Sequence, residues 1–237
     1  MICLKLCKKI IYALNELFFP RKCASCNRRL IEEDVWLCID CLIHLPRTNY
    51  HLRKDNPLEQ RFYGQTPIER AAAYFHYSPE SDYHHIIHQL KYYNHNKMGV
   101  YMGRCMASYI ADESKFFEDI DCIIPIPLAK ERLKQRGYNQ CAFIAKGVSE
   151  ITGLPIIEGI VERVVNNPTQ TRQSHDTRWR NAEGIFQATP TIKQLKGKHL
   201  LLIDDICTTG ATLTSCAKTI ATALNDCRIS ILVLAVA

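Results

Sequence analysis

The sequence contains no uncharged apolar run that approaches the roughly 18 residues of a membrane-spanning helix, and no small-residue cleavage site near its start. It also lacks a Walker loop, a Rossmann-type glycine fingerprint, internal repeats and low-complexity tracts. These absences exclude a transmembrane protein, two common nucleotide-binding loops and a repeat architecture. We therefore expect a soluble, globular, cytoplasmic protein without a cleaved signal peptide.

The composition is that of an ordinary globular protein. With 237 residues, of which 47% are hydrophobic and 23% charged, the chain can form one domain of usual size and a small appendage. A formal net charge of +6 and a pI of about 8.7 favour an anionic partner. The net charge alone does not distinguish among three anionic partners: a phosphorylated metabolite, nucleic acid and a membrane surface.

Residues 1–19 mix apolar residues with lysines ahead of Pro20, which predicts an amphipathic helix that ends there. Its apolar stripe would pack against the body of the protein, with Cys3 and Cys7 as buried thiols. Peripheral contact with an anionic membrane is the alternative for such a basic helix. The predicted stripe consists of Ile10, Leu14, Leu17 and Phe18.

Four of the twelve cysteines form two Cys-x2-Cys pairs that are separated by eleven residues. Two such knuckles can close a tetrahedron of thiolates around Zn²⁺, and the metal would stabilise a segment with few apolar residues. Two disulfides or a redox-active pair are the alternatives. The six cysteines beyond residue 100 are scattered singly, as in core packing, and a chain of this length needs no disulfides, which favours a reducing compartment. The predicted zinc ligands are Cys23, Cys26, Cys38 and Cys41.

The chain divides into two parts. Residues 45–67 are polar and irregular, which predicts a linker or extended arm. We expect domain 1–60 to hold the amphipathic helix, the zinc module and the linker, and 61–237 to form the main domain. Beyond the linker, continuous apolar strands alternate with helices, which predicts an α/β fold with a parallel sheet covered on both faces. Within the predicted helix 140–151, the residues expected to face inward are Ile144, Val148 and Ile151.

The most informative stretch leads from a buried strand into a helix. Four apolar residues, 200–203, are followed by Asp204 and Asp205, and then by a small loop before the helix that begins near Leu213. Ligands in open parallel sheets bind at this carboxyl edge. The loop residues are Thr208, Thr209, Gly210, Ala211 and Thr212.

This loop has the chemistry of a sugar-phosphate site. Backbone N–H groups of residues 208–212, the threonine hydroxyls and the helix dipole can surround a phosphate, and Gly210 lets the backbone approach closely. Asp204 and Asp205 can accept hydrogen bonds from sugar hydroxyls beside that phosphate. The alternative is structural: the acids cap the helix and the threonines form a turn.

Residues 204–212 resemble the ribose-phosphate signature of type I phosphoribosyltransferases, and the wider pattern resembles the ComF family of competence-associated proteins. The resemblance covers nearly the whole chain: the cysteine knuckles, residues 88–92, residues 124–140 with their Pro-Ile-Pro-Leu and Arg-Gly-Tyr-Asn-Gln strings, and residues 178–186. It implies a type I phosphoribosyltransferase fold with an N-terminal zinc ribbon. It also implies binding of 5-phosphoribosyl-1-pyrophosphate (PRPP) or a related ribose phosphate with Mg²⁺, and a role in DNA uptake.

The resemblance also assigns roles. The loop after Pro127 would hold pyrophosphate, although a solvated basic helix is the alternative there. Residues 166–180 would close over the substrate, and Arg178 would stabilise the departing pyrophosphate. Gln173 stands where family members often carry an apolar residue, and no residue identifies the acceptor. The predicted pyrophosphate residues are Lys130, Arg132 and Arg136.

Two functions remain open from the sequence. One is transfer of the pentosyl group to an acceptor. The other is non-catalytic binding of single-stranded DNA with the competence machinery, the phosphoribosyl site being regulatory or vestigial. DNA binding would need exposed aromatic residues beside a basic groove. The candidates are Trp36, Tyr92, Tyr93, Tyr138 and Trp179.

Overall fold

The computed structural model describes residues 20–30, 36–92, 96–164 and 184–237. The predicted N-terminal helix with Cys3 and Cys7 lies outside the described residues. So does the predicted substrate loop with Gln173 and Arg178.

Strands are interspersed with helices along the described chain. The strands are β1 Arg70–His76, β2 Cys122–Pro125, β3 Val161–Arg163, β4 Phe186–Ala188, β5 His199–Cys207 and β6 Arg228–Val236. The α-helices are α1 Ile39–Ile43, α2 Pro57–Gln60, α3 His84–Tyr92, α4 Asn96–Glu113, α5 Lys130–Arg136, α6 Gln140–Thr152 and α7 Ala211–Ala223. Two short 3₁₀ helices cover Tyr50–Leu52 and Pro190–Leu195. Within the described ranges, no helix combines the length and the apolar character needed to cross a membrane.

Four strands form a parallel sheet in the order β1-β6-β5-β2. Both central strands are almost continuously buried, because helices cover both faces of a parallel sheet. Helix α6 packs on β2, β5 and α4, whereas α7 packs on β5 and on the antiparallel hairpin of β3 and β4. The predicted α/β class, with its parallel sheet, is confirmed.

Helix α6 follows its predicted pattern except at its end. Ile144 and Val148 are completely buried, but Ile151 is 43% exposed, so its predicted inward position is wrong. Ile151 lies in the last turn, just before the helix ends at Gly153 in a left-handed conformation. Less of the protein packs against this last turn than against the middle of the helix.

Residues 45–67 are not an open linker, which corrects the sequence interpretation. Leu58 and Phe62 are buried, and Asn56 forms a capping box with Glu59 at the start of α2. The Asn56 amide also donates to the carbonyl of Ala71 in β1 at 2.9 Å. The polar residues that suggested an exposed segment are instead internal hydrogen-bonding partners. The domain boundary at residue 60 stays a prediction.

Candidate functional site: a cleft at the carboxyl ends of β2 and β5

The candidate site lies where two neighbouring parallel strands end. Pro125, the last residue of β2, pairs with Ile203 of β5, and the next amide, of Ile126, donates to the Ile203 carbonyl at 2.9 Å. The chain after β2 and the acidic residues of β5 therefore emerge side by side. Ligands of open parallel sheets bind at this kind of edge.

The two strand ends and the elements around them enclose a cleft of about 250 Å³. Most of its lining is polar or charged. The polar lining residues are Lys91, Arg132, Arg136, Gln140, Arg163, Asp204, Asp205, Thr208 and Thr212, together with the thiol of Cys141.

Asp204 contacts both the thiol of Cys141 and the backbone of its neighbour Asp205. Its Oδ1 accepts a hydrogen bond from Cys141 Sγ at 3.2 Å and another from the backbone N–H of Asp205 at 2.9 Å. Burial, and then the neighbouring charge of Asp205, raise the pKa of Asp204 to about 7. Proton uptake by this group relieves the repulsion between two adjacent acids.

Asp205 is buried and held by two side chains from different helices. Its Oδ2 lies 3.4 Å from Lys91 Nζ on α3 and accepts a hydrogen bond from Gln140 Nε2 on α6 at 3.1 Å. Burial alone would lower the pKa of Lys91, but the charges of Asp205 and Asp204 outweigh it and the pKa is raised. Lys91 therefore stays charged and neutralises part of the acidic pair.

The predicted phosphate turn adjoins this pair. Gly210 has a φ of +83° at the start of α7, a left-handed conformation that favours glycine, and an added Cβ would lie 3.4 Å from the ring of Phe62. The Ala211 amide donates to Thr209 Oγ1 at 3.3 Å, so one of the five predicted phosphate donors is already used. Within the described part of the chain, the amides of Thr208 and Thr212 have no acceptor.

Residues 45–67, which the sequence interpretation treated as a linker, contact this turn. Arg61 donates to the carbonyls of Thr208 and Ala237, and its neighbour Phe62 packs under Gly210. The position of the turn therefore depends on residues almost 150 positions earlier in the chain.

The predicted pyrophosphate residues separate into two groups. Arg132 and Arg136 line the cleft, and Arg136 donates to Gln140 Oε1 at 3.0 Å. The Lys130 side chain is 81% exposed and lies 3.9 Å from Glu162 Oε2, away from the cleft lining. The structure thus brings two of the three predicted cations to the carboxylates.

Sequence reasoning missed four polar residues of the cleft. Lys91, Gln140 and Cys141 belong to or adjoin segments that carried the family resemblance, but no local pattern gave them a chemical role. No sequence pattern pointed to Arg163, because it reaches the cleft from a short strand that is far from the acids in sequence.

The four predicted zinc ligands come together in a separate cluster. Their sulfur atoms all lie within 4.8 Å of one another. Cys26 and Cys38 Sγ are 3.7 Å apart, close to the edge of about 3.8 Å that a tetrahedron with Zn–S bonds of about 2.3 Å requires. The Cys38 amide donates to Cys23 Sγ at 3.3 Å, a hydrogen bond that links the two Cys-x2-Cys pairs. The geometry fits a closed, structural Zn²⁺ site.

This cysteine module packs on the main domain. Gln89 of α3 donates to the Ala24 carbonyl at 3.3 Å, and the Tyr83 hydroxyl donates to the Cys41 carbonyl at 3.2 Å. Cys23 and Leu37 belong to the same continuous cluster of buried residues as the sheet. A change at the cysteine cluster would therefore reach α3, which also carries Lys91.

Few of the predicted stacking residues are available. Tyr92 is 60% exposed beside the cleft, with the Arg136 guanidinium 5.4 Å from its ring centroid. Tyr138 is buried and its hydroxyl donates to the Leu90 carbonyl at 2.7 Å, so it cannot stack on a base. Trp36 is partly buried, and Tyr93 and Trp179 lie outside the described residues.

The fold and the cleft define a class: an α/β protein with a parallel sheet, a polar cleft and a glycine-containing turn at its carboxyl edge, and an N-terminal four-cysteine module. No family model matches the chain. Among solved structures it is similar to one described as the allosteric regulatory enzyme of purine biosynthesis, with 18% identity and a TM-score of 0.37 over 61% of this chain and 30% of that one. So distant a likeness says nothing about activity.

The sequence has closer relatives among characterised proteins. It is 33% identical over 98 residues to Competence protein F of Haemophilus influenzae, covering 41% of this chain and 43% of that protein. It is 26% identical over 198 residues to DNA utilization protein YhgH of Escherichia coli K12, covering 83% and 82%. It is 34% identical over 96 residues to Competence protein ComFC of Bacillus subtilis, covering 40% and 36%. These relatives confirm the resemblance to the ComF family, although the matches span less than half of both competence proteins.

Proposed function

We propose that this protein binds PRPP, together with Mg²⁺, in the cleft between the carboxyl ends of β2 and β5. The observation that carries the proposal is the meeting, in one cleft, of a carboxylate pair, a turn that leads into a helix N-terminus, and several arginines. Each suits one part of the ligand: the ribose hydroxyls, the 5-phosphate and the pyrophosphate.

The 5-phosphate would lie on the turn formed by residues 208–212. The amides of Thr208 and Thr212 and the nearby threonine hydroxyls are the donors, and the positive end of the α7 dipole favours an anion there. Asp204 and Asp205 would accept hydrogen bonds from the ribose hydroxyls.

The pyrophosphate would face Arg132 and Arg136, because guanidinium groups pair with phosphate oxygens through two parallel hydrogen bonds. The role of Arg178 remains a prediction from the family resemblance.

Magnesium fits this arrangement through the ligand rather than through a site made by protein alone. Mg²⁺ is usually held by one or two carboxylates together with substrate phosphates and water. Asp204 and Asp205 are the residues that would supply the protein's share. Bound Mg²⁺ would neutralise charge on the pyrophosphate.

Pentosyl transfer is the reaction that an activated ribose in this cleft would support. The bond from the anomeric carbon to pyrophosphate would break as an acceptor forms its own bond to that carbon. The arginines would stabilise the negative charge that the departing pyrophosphate gains.

Calorimetry with PRPP, with and without Mg²⁺, tests the binding step before any acceptor is known. We expect saturable binding by the wild-type protein and none by the double variant Asp204→Asn, Asp205→Asn. Asp112→Asn is a matched control, because Asp112 is exposed on α4 and its loss should leave the affinity unchanged. Retained affinity in the double variant would reject the proposal. Release of pyrophosphate in the presence of candidate bases or amines then tests transfer.

We further propose that Cys23, Cys26, Cys38 and Cys41 hold a structural Zn²⁺ ion. The spacing of the sulfur atoms supports this proposal. The closed tetrahedron would leave no position for a substrate.

Two of these relatives are named as competence proteins and one as a DNA utilization protein, which favours a second function in DNA handling, and we propose single-stranded DNA as the ligand. Lys22 and Arg29 are exposed, and their backbones form an antiparallel β-bridge across the first cysteine knuckle. A basic patch of this kind could contact a phosphate backbone.

Titration of single-stranded DNA at several salt concentrations tests the second function. Backbone binding should weaken steeply with salt, and the double variant Lys22→Gln, Arg29→Gln should show a shallower slope. Absence of any salt-dependent binding would reject it without affecting the PRPP proposal.

A further inference from the structure

Arg163 reaches the cleft although no sequence pattern pointed to it. Along β3, Val161 is buried, Glu162 is exposed and Arg163 is partly buried. Because successive side chains of a strand point to opposite faces, Arg163 shares the inward face of Val161 whereas Glu162 faces solvent. The hairpin of β3 and β4 packs on α7 and so brings Arg163 next to the cleft.

The guanidinium of Arg163 lies over the ring of Phe186, its neighbour in the antiparallel register of β3 and β4, at 5.6 Å. Nε is buried and, among the described residues, has no hydrogen-bond acceptor. An unsatisfied donor of a charged group is costly to bury, so a polar partner is expected when the site is filled.

The surroundings of Arg163 favour an anion as that partner. Burial, and then the nearby positive charge of Arg132, lower the pKa of Arg163. Burial and Arg136 lower the pKa of Arg132 in the same way. Arg132 and Arg136 line the same cleft as Arg163, so an anion bound there would lie among three guanidinium groups and reduce their mutual repulsion.

Lys130, by contrast, faces the other way. It lies 3.9 Å from Glu162 Oε2, on the exposed face of the same strand. The alternation along β3 therefore separates a solvent-facing pair, Lys130 and Glu162, from the inward-facing Arg163.

We propose that Arg163 supplies the third cation of the pyrophosphate subsite, beside Arg132 and Arg136, in the place that the sequence assigned to Lys130. The inference rests on the proposed binding of PRPP. It adds that the pyrophosphate lies against the antiparallel pair of β3 and β4.

Calorimetry with three ligands in the presence of Mg²⁺ separates the two subsites: PRPP, inorganic pyrophosphate and ribose 5-phosphate. We expect Arg163→Gln to weaken binding of PRPP and of pyrophosphate by about tenfold to a hundredfold, because charged hydrogen bonds are lost. Its affinity for ribose 5-phosphate should stay within about twofold of wild type. Lys130→Gln should bind all three ligands as wild type does.

Two further variants control for effects on folding. Arg228→Gln makes the same exchange at an exposed position at the start of β6 and should change no affinity. Arg163→Lys keeps the charge and the apolar stem over Phe186, so its thermal midpoint should match wild type. Its pyrophosphate affinity should still fall, because an ammonium cannot form the paired hydrogen bonds of a guanidinium.

The outcomes are distinct. The inference is overturned if Arg163→Gln weakens the binding of all three ligands to the same extent. It is also overturned if Lys130→Gln loses more pyrophosphate affinity than Arg163→Gln does. Unchanged pyrophosphate affinity in Arg163→Lys and Arg163→Gln also overturns it, and leaves the proposed function intact. A wild-type protein that binds none of the three ligands rejects the proposed function itself.

Discussion

The ammonium of Lys91 lies 3.4 Å from Oδ2 of Asp205, and both side chains are largely buried at the end of the sheet. The same oxygen accepts a hydrogen bond from Gln140, whose own amide oxygen accepts one from Arg136. The acidic half of the cleft is thus linked to its basic half through a single amide side chain. Removal of any member leaves a buried polar group without its partner.

We expect Lys91→Met to destabilise the protein by about 3 kcal/mol, because an uncompensated carboxylate would remain buried. The variant that also carries Asp205→Asn should regain much of that loss, since both charges are then gone. Urea unfolding provides the measurement. Lys115→Met is the matched control: its pair with Glu118 is exposed, and its removal should cost less than about 0.5 kcal/mol. Equal losses in the two single variants would contradict the prediction.

A second prediction concerns His199, which is buried at the start of β5. One ring nitrogen lies 2.8 Å from Ser230 Oγ and the other 3.1 Å from the Asp119 carbonyl. Burial, and then the charge of Arg228, lower the pKa of His199. Below about pH 6.5 the unfolded chain therefore binds a proton that the folded protein does not. The free energy of unfolding decreases as the pH is lowered.

The expected slope from His199 is up to about 1.4 kcal/mol per pH unit below pH 6.5. Urea unfolding at pH 7.0 and 5.5 should show a smaller loss for His199→Gln than for wild type. His85→Gln, at an exposed position on α3, should lose as much as wild type. A full wild-type loss in His199→Gln would show that other groups cause the acid sensitivity.

The parts of the fold that follow from local pattern could be predicted from the sequence. The helix predicted to begin near Leu213 is α7, and Leu213, Cys216, Ala217 and Ile220, which recur along it at helical spacing, are all buried. The apolar run before Asp204 predicted the strand and its acidic end in the same way. Periodicity and strand-end chemistry are properties of a few neighbouring residues.

The cleft could be predicted only in part, because its polar residues come from four separate segments. Lys91, Gln140 and Arg163 meet Asp205 or its neighbours through the packing of helices and a hairpin, which no local pattern records. The support of Gly210 by Phe62 was missed for the same reason. Where polar residues such as Asn56 satisfy internal hydrogen bonds, composition alone suggested an exposed linker and was wrong.

The proposed zinc site leads to a third prediction. Removal of Zn²⁺ by a strong chelator, or Cys38→Ser, should lower the thermal midpoint, because the metal supplies folding energy to its module. Cys105→Ser, on α4 and outside the cluster, should keep one Zn²⁺ per chain by elemental analysis. The prediction would be contradicted by a wild-type protein that carries no zinc after purification under reducing conditions, or by one whose thermal midpoint does not change in the chelator.

The last prediction tests the packing of α4 on α6. Helix α6 begins with Gln140 and Cys141, which line the cleft. Gly147 of α6 lies so close to α4 that an added Cβ would be 2.1 Å from the Val100 carbonyl oxygen and 2.8 Å from the Arg104 amide. These neighbours are backbone atoms and cannot rotate away, so the helices would have to separate.

Alanine in a helix is favoured over glycine by about 1 kcal/mol, whereas overpacking a close contact costs about 1–3 kcal/mol. The steric cost should win, so we expect Gly147→Ala to lower the free energy of urea unfolding by about 2 kcal/mol. Lys146→Ala, at the exposed position next to it on the same helix, should change it by less than about 0.5 kcal/mol. If Gly147→Ala is instead more stable than wild type, helix propensity outweighs the contact and the two helices are less tightly packed than the structure has them.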